Sequence, residues 1–419
     1  MSKNLEIHEN EILIPKAVLI SVDTGEFDVE VSLDELEELS QTAGVEVCAK
    51  VTQKRDSYDK ATCIGSGKLE EIKDFCTQNE ISLLIFDCEL TATQTRNVEE
   101  LTDIRVIDRT ILILDIFAMR ALSKEGRLQV ELAQQRYRLP RLAGMGIEMS
   151  RLGAGIGTRG PGETTLETDK RHIRTRIKTL EKELEEITLR RERMRLRRKK
   201  DNVITVAIVG YTNVGKSTLL NALTDAGVLA ENKLFATLDP TSRALELPDG
   251  RQVLLVDTVG LIRRLPHHLV RAFRSTLEEA SNSDLILHIC DISADDVDEQ
   301  TEVTENLLAD LSCGDIPVLR AYNKCDKVEN ISDTNPAENE VFISAKTSFG
   351  FEELLVKISA MLRETSRRMQ LLIPYDKTGL IAKIRQDGKI FSEEFRDDGT
   401  LIDAMVDCSL IKESEGFVC

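Results

Sequence analysis

The chain has no C-x-x-C pair, no apolar run long enough to cross a bilayer, and no surplus of positive charge. Its nine cysteines (Cys48, Cys63, Cys76, Cys88, Cys290, Cys313, Cys325, Cys408 and Cys419) are odd in number and scattered. A disulfide framework or a zinc site needs closer, paired spacing, so reduced thiols in a cytosolic protein are expected. No uncharged apolar stretch approaches the ~20 residues of a membrane helix. The opening, MSKNLEIHENEILIP, is acidic where a secretion signal carries an apolar core. The expected location is the cytoplasm, without an integral membrane segment; partial membrane association is left open. A formal net charge of −18 argues against a nucleic-acid partner on average, but the average hides a strong asymmetry.

At 419 residues, 41% of them hydrophobic, the chain should hold about two to four domains, because single cores rarely grow past roughly 250–300 residues. Within residues 1–120, AVLISVD (17–23), VEVCAKV (45–51), ISLLIFD (81–87) and IRVID (104–108) read as strands. SLDELEELSQTAG (32–44), GKLEEIKDFCTQ (67–78) and TQTRNVEEL (93–101) read as helices between them, with another helix after Thr110. Such alternation predicts a parallel sheet with crossover helices.

Residues 121–200 change character. Leu128, Leu132, Gln135, Leu139 and Leu142 alternate steps of four and three, and Ile173, Ile177, Leu180, Leu184, Ile187, Arg191 and Met194 resume the pattern. Two heptad seams in succession predict an antiparallel coiled-coil hairpin. A continuous helix from Leu166 to Lys200 would be about 50 Å long. Pro140 is expected to kink the first helix or end it early. The connection at 143–162 has seven glycines in twenty residues, too little apolar surface to order by itself. At the far end, LRRERMRLRRKK (189–200) carries eight basic residues and one acid. Residues 201–367 return to an α/β pattern. Residues 368–419 read as a small α/β appendage with turn signals at Asp387-Gly388 and Asp398-Gly399.

The chemistry begins where the apolar run VITVAIVG (203–210) meets GYTNVGKS (210–217). This fits G-x-x-x-x-G-K-[ST] between a strand and a helix. The backbone of Gly210, Tyr211, Thr212, Asn213, Val214 and Gly215 would wrap phosphates at a helix N-terminus, Lys216 would reach the β- and γ-phosphates, and Ser217 would ligate Mg²⁺. Three further elements follow in the order a GTPase needs. In DTVG (257–260), Asp257 would hold Mg²⁺ through water, Thr258 and Val259 would line the site, and the Gly260 N–H would meet the γ-phosphate. In NKCD (323–326), Asp326 would accept from the guanine ring N–H and amine, which adenine does not offer; such sites discriminate by about 10⁴-fold or more. Asn323 would bridge loops and base, the Lys324 stem would stack on the base, and Cys325 lies between them and Asp326. Ser344, Ala345 and Lys346 would present N–H groups to the guanine carbonyl.

A first switch is expected in FATLDPT (235–241): Phe235, Ala236, Thr237, Leu238 and Asp239 near the phosphates, with Thr237 (alternatively Thr241) completing the Mg²⁺ shell in the GTP state. Lys216, Thr237 and Gly260 are the catalytic candidates. Many signalling GTPases carry a glutamine after the D-x-x-G glycine to orient the attacking water; here Leu261 and Ile262 follow, and neither can hold a water. Slow hydrolysis alone, stimulated by a partner, is the expectation. GSGK (65–68) lacks Walker spacing and reads as a helix start rather than a second nucleotide loop. His267 and His268 have no metal-ligand spacing around them.

GIGTRGPGETTLETDKR (155–171), the P-loop, FATLDPT, DTVGLIRRLPHHLVRAFRSTLEEA (257–280) and NKCD together resemble the HflX family, GTPases of the translation-factor-related class beside the Obg group. The resemblance spans essentially the whole chain; Leu261 stands where the family usually has phenylalanine. It implies binding to the large ribosomal subunit and its rRNA, dissociation of stalled or stressed ribosomes, and the glycine-rich connection reaching toward the peptidyl-transferase region. Arg151 and Arg159 in that connection, with Arg195, Arg197 and Arg198 on the basic run, are the candidate rRNA contacts, since arginines neutralise phosphates without reading sequence. The expected protein is a monomeric GTPase splitting or rescuing ribosomes. The alternatives are a large-subunit assembly factor, a regulatory GTPase with a protein partner, and an ATP-dependent RNA-remodelling enzyme. The expected fold class is α/β: a P-loop GTPase domain of mostly parallel sheet flanked by helices, preceded by a smaller α/β domain and the hairpin, with the C-terminal appendage behind.

Overall fold

The computed structural model describes residues 14–151, 161–200, 203–224, 234–235, 241–266, 269, 278–328, 336–362 and 366–418. The chain divides into two compact units, residues 1–183 and 184–419.

In the first unit, β1 (Lys16–Asp23), α1 (Val29–Thr42), β2 (Glu46–Lys54), α2 (Ser66–Gln78), β3 (Leu83–Phe86), α3 (Ala92–Thr102), β4 (Arg105–Asp108) and α4 (Arg109–Arg120) alternate. The strands pair in parallel in the order β2-β1-β3-β4. The central strands are continuous apolar runs, because crossover helices cover both faces. The edge strand β2 instead alternates exposed and half-buried residues. Helix starts follow from short polar side chains: Asp28 caps α1, Thr91 and Gln94 form a capping box on α3, and Asp108 caps α4.

The interior also holds charge. Arg109, 3% exposed, donates to Asp87 at 2.8 Å and pairs with Glu35, while Ser21 and Ser32 donate to Asp87. Two carboxylates offset the desolvation of the guanidinium, and two hydroxyls satisfy Asp87 in turn, the condition for tolerating a buried ion pair.

Two long helices follow, α5 (Lys124–Arg151) and α6 (Pro161–Lys200). Leu128, Leu132 and Leu180 of the heptad seams are buried, Ile173, Ile177, Leu184 and Ile187 half-buried, and Met194 is exposed. Arg176 grips Glu131 with two bonds of 2.6 Å, and Arg136 meets Glu181 at 2.7 Å. The helix boundaries differ from expectation in two places. Pro140 neither ends nor visibly shortens α5. Its cost of roughly 3 kcal/mol is offset by anchors on both sides: Tyr137 donates to Asp108 at 2.6 Å, and Arg141 reaches the Leu90 and Tyr137 carbonyls. The glycine-rich connection is also partly helical, since α5 continues to Arg151. Only two glycines, Gly144 and Gly146, fall in this stretch, and each costs only about 1 kcal/mol against alanine.

The second unit takes the rest of α6 and a six-stranded sheet. Its elements are β5 (Ile204–Gly210), α7 (Lys216–Thr224), β6 (Thr241–Glu246), β7 (Gln252–Asp257), β8 (Leu285–Asp291), α8 (Val297–Asp310), β9 (Val318–Asn323), β10 (Glu340–Phe342) and α9 (Phe351–Met361). The order is β10-β9-β8-β5-β7-β6, parallel except for β6 on β7. The appendage, β11 (Ser366–Ile373), α10 (Thr378–Asp387), β12 (Lys389–Arg396), β13 (Gly399–Asp407) and α11 (Cys408–Ser414), is an antiparallel sheet, β11-β13-β12, with its own core of Leu371, Ile373, Ile384, Ile402 and Val406. The β12–β13 hairpin turns at Asp397-Asp398, one residue before the expected Asp398-Gly399, and Gly399 already pairs with Arg396.

Candidate nucleotide site

In open α/β sheets, ligands bind outside the carboxyl ends of the strands. In the second unit, β5, β7, β8 and β9 end at Gly210, Asp257, Asp291 and Asn323, so four strand ends converge on one rim. The loop leaving β5 turns through Asn213 at φ +63° and Gly215 at φ +98° into α7. A Cβ at residue 215 would fall 2.3 Å from the Asn323 side-chain nitrogen, so only glycine lets the two loops approach this closely.

Lys216 is 7% exposed. Its Nζ donates to the Gly210 carbonyl at 3.0 Å and the Tyr211 carbonyl at 2.6 Å. Burial pushes its pKa down to about 8, against the pull of Asp257. Neutral carbonyls offset less of the desolvation than a phosphate anion would, which leaves a cation poised for an anion. Beside it, Ser217 Oγ donates to Asp257 Oδ2 at 2.7 Å, setting a hydroxyl and a carboxylate side by side. Gly260 lies against this cluster: a Cβ there would be 3.1 Å from Lys216 Nζ.

The P-loop is laced to the D-T-V-G loop. Thr212 N–H donates to the Leu261 carbonyl at 2.7 Å, Leu261 N–H to the Gly210 carbonyl at 3.2 Å, and Arg263 N–H to the Tyr211 hydroxyl at 2.7 Å. Thr258 Oγ1 donates to the Ile208 carbonyl at 2.8 Å, and Val259, Leu261 and Ile262 are buried. The Leu261 side chain is therefore core rather than a water-holding group. Arg263 pairs with Asp296 and, at 2.9 Å, with Glu299.

On the other side, Asn323 joins three loops: its Nδ2 donates to the Val214 carbonyl at 2.7 Å, and its Oδ1 accepts from Ala345 N–H at 2.9 Å. Lys324 sits at φ +64° and its Nζ meets Asp291 at 2.5 Å. Cys325 is buried, and its N–H reaches the Ile343 carbonyl. Asp326 is exposed and accepts from Ser344 Oγ at 2.6 Å; this bond holds its carboxyl below the usual range. Lys346 is exposed beside it. The rim thus brings together a buried cation, a hydroxyl–carboxylate pair and a carboxylate ready to accept two N–H groups.

Phe235 is buried at φ +55°. Ala236, Thr237, Leu238, Asp239, Arg159, His267 and His268 lie outside the described residues. Arg151 ends α5, with only its backbone described. Along the basic run, Arg197 is exposed, but Arg195 meets Glu279 at 3.0 Å and Arg198 meets it at 3.8 Å, with Glu279 nearly buried. Two of the three described rRNA candidates are therefore spent at least partly inside the second unit. Sequence reasoning missed Asp291 and Glu279. Asp291 had a signal, an acid ending the apolar run LILHICD (285–291) as Asp257 ends VLLVD; Glu279 had none, lying 84 residues from Arg195.

Three families match in succession: "GTP-binding GTPase N-terminal" over residues 30–118, "GTP-binding GTPase Middle Region" over 120–198 and "50S ribosome-binding GTPase" over 205–324. Among curated relatives, GTPase HflX of Caldanaerobacter subterraneus subsp. tengcongensis is 50% identical over 96% of this chain and 94% of its own length. That of Lacrimispora saccharolytica is 48% identical over 98% and 97%, and that of Escherichia coli K12 41% over 92% of each. With relatives 41–50% identical over more than nine-tenths of its length, the chain belongs to the HflX family of GTPases.

Proposed function

We propose that this GTPase binds the large ribosomal subunit in its GTP state and uses hydrolysis of GTP to GDP and phosphate to split or rescue stalled ribosomes. The observation that carries the nucleotide half is the buried Lys216, whose hydrogen bonds among the described residues go to two carbonyls. A phosphate would replace those weak partners with a charge-assisted pair. Hard oxygen donors suit Mg²⁺, and Ser217 with Asp257 forms such a set. Ser217 would bind the ion directly, Asp257 through water, and Thr237 would complete the shell when GTP is present. The ion would neutralise charge on the transferring phosphoryl group.

This chain's own residues would do the rest. Lys216 binds β- and γ-oxygens, Gly260 N–H meets the γ-phosphate, and Asp326 selects guanine while Asn323 holds the loops in register. No side chain at Leu261 orients water, so turnover is slow until a partner completes the site. A route outward also exists within the second unit. Glu279, on the helical stretch 278–281 downstream of the D-T-V-G loop, clamps Arg195 and Arg198 of α6. Loss of γ-phosphate contacts relaxes switches, and this clamp would pass the change to the basic end of α6. Exposed Arg197, with Arg151 and Arg159, remains for rRNA phosphates. The family described as ribosome-binding supports the same partner.

The test adds the protein to intact ribosomes with GTP, a non-hydrolysable analogue, or GDP, and follows sedimentation. Co-migration with large subunits in the analogue, weakened by salt, together with new subunit peaks, is expected. Binding that leaves intact ribosomes whole would favour an assembly factor; salt-insensitive or absent binding would favour a protein partner.

A further inference from the structure

The first unit carries a pair of sulfurs that GTP chemistry does not use. Cys63, in the loop between β2 and α2, and Cys88, just past the end of β3, are thiols whose Sγ atoms stand 3.4 Å apart. Cys63 is 1% exposed and Cys88 half-buried, so one sulfur faces the interior and the other can meet a small solute. The loop that brings Cys63 in is shaped for it: Asp59 and Cys63 exchange two backbone hydrogen bonds of 2.9 and 3.0 Å, and Cys63 takes φ +69°.

We infer that Cys63 and Cys88 are a reversible disulfide site, closed by a hydroperoxide. Sulfurs in contact need only about 1.4 Å of approach to reach bonding distance, within reach of two side-chain rotations. In proteins of reducing compartments such bonds are transient and sense redox state. Cys88, as its thiolate, attacks the peroxide; the O–O bond breaks, leaving a sulfenic acid and a hydroxide that takes the thiol proton as water. The Cys63 sulfur then attacks Cys88, the S–O bond breaks, and the second hydroxide leaves as water with the Cys63 proton. Two thiols are oxidised and one peroxide is reduced, so the balance closes. The hydrogen bond between the sulfurs holds Cys63 below the usual thiol range, against burial, which eases the loss of the Cys63 proton in the second step. By contrast, burial pushes Cys76 and Cys290 up to about 11.

Closure would tie the β2–α2 loop to the β3–α3 loop. The second of these holds α5: the Leu90 carbonyl accepts from Arg141 at 2.7 Å, and Leu90 N–H donates to Asp108, which also accepts from Tyr137. An oxidised pair would therefore stiffen the seat of the helix leading to the glycine-rich connection.

The full-length protein is treated with hydrogen peroxide, alkylated and digested without reductant. A Cys63–Cys88 linked peptide, two hydrogens lighter than its parts, is expected to form several-fold faster than exposed Cys48 oxidises and to vanish with dithiothreitol. Cys63→Ser and Cys88→Ser should each abolish it, with GTP turnover as the check on folding. If both thiols stay alkylatable at doses that oxidise Cys48, or go to sulfinic acid unlinked, the inference is overturned.

Discussion

Each unit carries a glycine-rich turn that leads through a lysine into a helix, GSGK (65–68) in the first and GYTNVGKS (210–217) in the second. They use the same residue types oppositely. At Gly65 the N–H is taken by Gln53 Oε1 at 2.8 Å, and Lys68 lies at the surface against Glu71 at 2.9 Å. At the second turn the lysine is buried, held by two carbonyls. A glycine and a lysine acquire chemistry only when the loop is long enough to turn the cation inward, and four strand ends are there to meet it. The basic run of α6 repeats the lesson: Arg195 is clamped by Glu279, while Arg197 two residues on is exposed.

The widest break in this comparison is Lys216→Ala against Lys68→Ala. The first should weaken GTP binding by about 100-fold or more and abolish turnover, the second should leave both unchanged; fluorescent-nucleotide titration and phosphate release measure it. Equal losses would mean that both turns serve the nucleotide. Asp326→Asn should lower GTP affinity by about 100-fold and raise that for xanthosine triphosphate, whose carbonyl meets the new amide; competition binding decides, and retained guanine preference would remove Asp326 from base selection.

Smaller effects sharpen the contrast between buried and solvated cations. Glu279→Ala leaves Arg195 half-buried without its carboxylate and should destabilise the second unit by ~2 kcal/mol, whereas Arg197→Ala should stay within about 0.5 kcal/mol; urea unfolding followed in both variants compares them. The smallest is a pH effect. Lys216 titrates near 8 without nucleotide and higher against phosphate, so GTP binding takes up a proton above that pH. Affinity should be level below pH 8 and fall by up to about tenfold per unit above it. Calorimetry in buffers of different ionisation enthalpy reads the proton directly, and no uptake at pH 9 would mean that Lys216 is already charged.

The strands and helices of both sheets were legible because local pattern and packing agree there: apolar runs became central strands, and short polar residues became caps. The four nucleotide motifs were legible for a related reason, since each sits within a few residues of a strand end. Less was legible where one local preference competes with distant contacts. Pro140 and the glycines at 144 and 146 argue for a break, yet α5 runs through them because Asp108 and Leu90 hold Tyr137 and Arg141. The charge run at 189–200 reads as uniformly solvated until a residue far along the chain claims part of it.

By itself, then, the sequence determined the alternation of elements, the order of the G-Y-T-N-V-G-K-S, D-T-V-G and N-K-C-D loops, and the family. These depend on spacings of two to eight residues, and chain geometry fixes them locally. Only the tertiary structure decided which cations are spent and which remain, that Asp291 holds Lys324, that Asn323 ties three loops, and that two sulfurs 25 residues apart touch. Contacts across such separations depend on how whole elements pack, and no short window of residues encodes that.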